Sequence, residues 1–65
     1  MNEFNIRLST TAEDLLLIAD VDGEPSAAIR FADGQAVGVP ADAILMSALR
    51  FYRWGLRGIT TVWGA

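Results

Sequence analysis

Cysteine, histidine and lysine are all absent from this 65-residue chain. Without cysteine there is no disulfide staple, and without cysteine or histidine there is no zinc site of the usual donor set. The same absences remove the thiolate nucleophile, the imidazole base and the Schiff-base amine together. Ser9, Ser26 and Ser47 therefore have no histidine or lysine to activate them, and an enzyme built on this chain would depend on carboxylates, Tyr52 or arginines alone. The expectation is a protein that is not an enzyme and carries no cofactor or metal. No glycine pattern matches a phosphate-cradling loop. Asp20-Val21-Asp22-Gly23-Glu24 lacks the spaced ligands of a calcium loop and reads as a turn. The pair Glu13 and Asp14 reads as solvated surface.

Long apolar runs are missing too. The longest, 15–19 and 43–46, fall far short of the roughly 20 residues that span a bilayer. Met1-Asn2-Glu3-Phe4 places an acid where a secretory leader carries positive charge. A cytoplasmic location with no transmembrane insertion is the expectation.

What is present is apolar and acidic. Hydrophobic residues make up 52% of the chain, which excludes an acidic disordered tail. Mean hydropathy is +0.33. The length allows one domain, residues 1–65, of marginal stability. The net charge of −3 argues against a general polyanion binder. That charge is divided unevenly. Residues 1–42 carry all eight acids against Arg7 and Arg30, for −6, whereas 43–65 carry Arg50, Arg53 and Arg57 with no acid, for +3. Such halves attract, within one chain or between two.

Phe4, Ile6 and Leu8 alternate with Asn5, Arg7 and Ser9, the period of a half-buried strand. Residues 15–21 are apolar on both parities and read as a strand buried on both faces. The rival is a short helix behind a Thr10-x-x-Glu13 capping box. The cluster Asp22-Gly23-Glu24-Pro25 predicts a hairpin loop into a third strand. Ala27, Ile29 and Phe31 alternate up to Asp33-Gly34. A three-residue loop there would pair Phe31 with Gln35, Ile29 with Val37 and Ala27 with Val39, gathering large apolar residues on one face.

Pro40 then switches the period. Ile44, Leu45, Ala48, Leu49, Tyr52 and Leu56 form the stripe of an amphipathic helix over about 41–57, with Asp42 in its first turn and Gly58 as C-cap. The β-branched and aromatic residues 59–63 read as a short strand or strap. The predicted fold is α+β: a three- to four-stranded antiparallel meander followed by one helix packed on the sheet.

One helix covers one sheet face, so Leu16 and Ile18 are expected to point to the uncovered side. Met46 and Phe51 are hard to place on the helix stripe. These four are the predicted dimer interface of a twofold homodimer. Arg50, Arg53 and Arg57, spaced by three and four, share one helical face with Trp54 beside them. Arginine and tryptophan favour a protein partner, so the first expectation is an interaction module acting as regulator, adaptor or inhibitor. The alternative is an anionic small ligand or single-stranded nucleic acid on the same arginines. An anionic membrane surface is the weakest reading of the face.

Overall fold

The computed structural model describes residues 3–38 and 42–63. Three strands, β1 (Phe4–Thr10), β2 (Leu15–Val21) and β3 (Glu24–Arg30), form an antiparallel sheet in the order β1-β2-β3, and one helix, α1 (Ala43–Trp63), packs across β3 and β2.

Each turn has an identifiable local cause. At 11–14 the Thr11 hydroxyl accepts from the Asp14 N–H at 2.9 Å and from the Glu13 N–H at 3.3 Å. The Thr11 N–H donates to the Asp14 carbonyl at 2.7 Å. The threonine thus makes a cap-like bond, but it closes a tight turn between Thr10 and Leu15 rather than opening a helix. The residues that follow form a strand with buried side chains on both faces, Leu17 and Ala19 on one and Ile18 on the other. Asp22 and Gly23, with φ of 53° and 83°, make the two-residue turn between Val21 and Glu24. Two positive φ angles are what a hairpin of this length requires. Beside it, a bulge at Ala19/Asp20 lets Pro25 sit in β3, since proline fits a sheet at such irregularities.

The turn after β3 is longer than the pattern predicts. The Arg30 N–H donates to the Gln35 carbonyl at 2.9 Å, and Ile29 bridges Ala36. Gln35 therefore faces Arg30 and not Phe31, and four residues, 31–34, form the loop. Gly34 takes the expected left-handed position, with φ 74°. The longer loop arises because Phe31 stays with β2, donating its N–H to the Leu15 carbonyl at 2.8 Å, while its side chain packs on the core. No fourth strand of any length follows among the described residues, only the single bridge. The expected partner Val39 and the break at Pro40 lie outside the described residues.

Asp42 stands one place before α1, outside its first turn, and caps it. Its carboxylate accepts from the Ile44 and Leu45 N–H groups at 2.9 and 3.0 Å. The helix runs through Gly55 and Gly58 to Trp63, so the expected C-cap at Gly58 and the strand or strap at 59–63 are not what forms. β-Branched residues are weak helix breakers, and a helix already nucleated extends at one hydrogen bond per residue.

The core lies between α1 and one sheet face. Leu17, Ala19, Ala27, Ile29, Met46 and Leu49 are buried there, flanked by Ile6, Phe31, Leu45 and Leu56. The buried stripe is rotated from the predicted one. Met46 replaces Ile44, which is 81% exposed, and Tyr52 is 45% exposed.

Candidate functional site

The rotation of α1 places Arg53, between Leu49 and Leu56 in sequence, partly buried toward the 31–34 loop. Its guanidinium donates through Nε to the Phe31 carbonyl at 2.5 Å and through Nη2 to the Ala32 carbonyl at 2.8 Å. Arg50 donates through Nε to the Gly34 carbonyl at 3.2 Å. Two arginines one helical turn apart thus clasp the 31–34 loop and satisfy carbonyls that have no ladder partner. Gly34 is buried under the clasp: a methyl placed on it would stand 3.6 Å from Arg53 Nη1.

Of the residues expected to form an interaction face, Arg50 and Arg53 are therefore committed to the chain's own loop. Trp54 is 73% exposed. Arg57 is exposed and makes a contact of its own. Arg53, Trp54, Arg57 and Gly58 line a shallow hollow of about 260 Å³. A second hollow of about 290 Å³ is lined by Phe51, Tyr52, Gly55 and Leu56.

The predicted dimer residues separate. Met46 and Ile18 are buried within the single chain, at 5% and 9% exposure. Leu16 is half-buried, and Phe51 is 82% exposed. Ile18 stands between Arg7 and Ala28 in the ladder, and Arg7 reaches along that face to Asp20 at 2.6 Å. On the neighbouring row, Leu16 faces Arg30. Arg30 grips the Asp33 carboxylate with two bonds, at 3.0 and 2.8 Å, and approaches Asp14 at 4.0 Å. That grip, with the Gln35 N–H as second donor, holds the Asp33 carboxyl below its ordinary pKa and raises Arg30 above its own. The sheet face away from α1 is thus rimmed by ion pairs. Ile18 and Ala28 form the apolar centre of that face, with Arg7 and Leu16 beside them in the ladder.

The most exposed large apolar side chains lie on α1, opposite the core. Ile44, Ser47, Phe51, Trp54, Gly55 and Gly58 recur at three- and four-residue offsets with no charge among them. The amphipathic pattern concealed this ridge, because Ile44 fits the spacing of the inward stripe and yet is exposed in the folded chain. Among the described residues no group of three or more histidine, cysteine, aspartate or glutamate side chains could hold a metal ion. No helix there is long and apolar enough to cross a membrane. Compared with known proteins, the chain matches no family model, no curated protein and no solved structure.

Proposed function

We propose that this chain is a non-enzymatic protein-interaction module, a small homodimer that regulates, bridges or inhibits a partner by occupying its surface with the outer ridge of α1. The observation that carries this reading is the exposure of Ile44, Phe51 and Trp54 at 81, 82 and 73% on one uncharged helical face. Large aromatics held on a regular helix supply contact area at little ordering cost, and Trp and Arg anchor protein interfaces more than other residues do. Arg57 flanks the ridge and suits an acidic rim on the partner.

The test is affinity capture by cross-linking from cells that make the protein, comparing wild type with Phe51→Glu, Trp54→Glu and Arg57→Glu. Loss of the same captured partners in the two aromatic variants, with folding intact by circular dichroism, supports the reading. Identical profiles for all four proteins remove the ridge from it.

The hollow beside Trp54 supports a second reading, an anionic small ligand or single-stranded nucleic acid held against Trp54 by Arg57, with Arg53 lining the same hollow. Titration with inorganic phosphate and with an oligonucleotide at rising salt tests it, since phosphate contacts must weaken as salt increases. An affinity that ignores salt eliminates this alternative.

A further inference from the structure

The outer edge of β1 is open. The Asp22 N–H donates to the Glu3 carbonyl at 2.8 Å, so Glu3 faces β2, and by alternation Asn5, Arg7 and Ser9 do the same. Phe4, Ile6, Leu8 and Thr10 therefore aim their N–H and C=O groups away from the sheet, and no described residue pairs with them. The opposite edge, on β3, is covered at its Ala28–Arg30 end by bonds from the 35–37 segment, where Arg30 donates to Gln35 and Val37 donates to Ala28, and its other end carries Pro25.

The devices that blunt an exposed edge are absent from β1. It has no proline and no lysine, and the sheet's bulge lies between β2 and β3. Its single charge, Arg7, is neutralised by Asp20 on the face away from α1. On the helix side, Ile6 and Leu8 stand opposite Ala19 and Leu17 of the core. Because α1 lies over β2 and β3, Phe4 and Leu8 are left 51 and 55% exposed.

We infer that two copies of this chain pair antiparallel through β1, with Ile6 facing the partner's Ile6 and Phe4 facing the partner's Leu8. This inference rests on the homodimer reading above and names the surface that forms it. Three conditions select the register. Opposed residues share a face, so a pairing that mixes odd and even positions would set apolar side chains against polar ones. Only Phe4, Ile6 and Leu8, with Thr10, present outward backbone groups, and here they oppose one another as hydrogen-bonded pairs. A slip of two positions one way puts Arg7 opposite the partner's Arg7 at the close spacing of a non-bonded pair, an unfavourable contact. A slip the other way sets Asn5 against itself and leaves Leu8 without an apolar counterpart.

In the chosen register Arg7 faces the partner's Asn5. The result is a six-stranded sheet with both helices on one face and the two Phe4-Ile6-Leu8 rows filling the trough between them. The pairing is isologous and uses up the β1 edge of both copies, so it closes at two copies instead of growing into a fibre. Both α1 ridges stay free.

Sedimentation equilibrium of the full chain, at concentrations up to about 100 μM because edge pairing is a small interface, is the test. Wild type is expected at twice the 7.0 kDa chain mass. Leu8→Lys should weaken association at least ~10-fold by opposing a charge to Phe4. Adding Phe4→Glu should restore it, because the two introduced charges then oppose each other across the dimer in this register and no other. Phe51→Glu should leave the dimer intact.

Loss without restoration overturns the register. A dimer unaffected by Leu8→Lys, or abolished by Phe51→Glu alone, overturns the β1 edge as the interface. A wild-type chain that stays at 7.0 kDa overturns the inference while leaving partner capture through α1 to its own test. Amide exchange on wild type keeps the question decidable if a variant misfolds. Protection of the Phe4, Ile6 and Leu8 amides that grows with concentration supports pairing, and fast exchange at every concentration overturns it.

Discussion

Arg53 donates to the Phe31 carbonyl across 22 residues of chain, and this one bond ties the middle of α1 to the first residue beyond β3. With the second bond to Ala32 it uses the guanidinium as a fork across consecutive carbonyls, a geometry lysine cannot reproduce. An arginine on the inward stripe of a helix is costly unless its polar atoms are satisfied. Here Nε and Nη2 are bonded, and the carbonyls of Phe31 and Ala32 are satisfied with them.

Arg53→Ala should lower unfolding free energy by about 2 kcal/mol, the usual scale for charge-assisted bonds to part-buried groups. Arg53→Lys should recover less than half of that loss. Urea denaturation followed by circular dichroism measures both. Equal stability of wild type and Arg53→Ala would mean that the clasp contributes nothing.

Two glycine-to-alanine changes should move stability in opposite directions. Gly34 has φ 74° and lies under Arg53, so Gly34→Ala should destabilise by roughly 1 kcal/mol. Gly55 is inside α1, and a methyl there meets nothing within 4 Å. Gly55→Ala should therefore stabilise by up to about 1 kcal/mol through helix propensity. Thermal melts of the two variants beside wild type decide the matter, and shifts of the same sign would contradict it.

Asp42 accepts from two N–H groups that α1 cannot otherwise satisfy. Asp42→Ala should cost about 1 kcal/mol, and Asp42→Asn or Asp42→Ser should retain most of the cap. Helical ellipticity on mild heating, compared across these variants, provides the readout. Equivalent melting of the alanine and serine variants would be the contrary result.

Acid should loosen the turn after β3. The folded-state pKa of Asp33 is depressed, first by the Arg30 side chain and then by the Gln35 N–H. The stability it contributes is therefore complete above its unfolded pKa and is lost as pH falls through the lower folded value. Unfolding free energy measured from about pH 7 to about pH 2 should decline below the ordinary carboxylate range. The decline should be shallower in Asp33→Asn, which keeps an acceptor for Gln35 but has no proton to take up. A steeper acid limb in that variant would reverse the sign of this account.

The identity and order of the elements were legible in the residues alone. Alternation at Phe4, Ile6 and Leu8, two apolar parities over 15–21, and the change to helical spacing after Pro40 each report how a short segment meets the interior. Such patterns are local, and strand or helix is a local choice. The same locality explains the reading of residues 59–63 as extended: propensity favoured it, whereas a helix already under way at Trp54 continues instead.

Tertiary structure alone decided the register after β3, the rotation of α1 and the work of its arginines. Spacing put Ile44 on the inward stripe and left Met46 off it, whereas the folded chain buries Met46 and exposes Ile44. The rotation that buries Met46 also sets Arg50 and Arg53 against the carbonyls of 31–34. Which backbone groups lack a partner is known only after the chain has folded back on itself, and no window of sequence contains both ends of a bond that spans 22 residues.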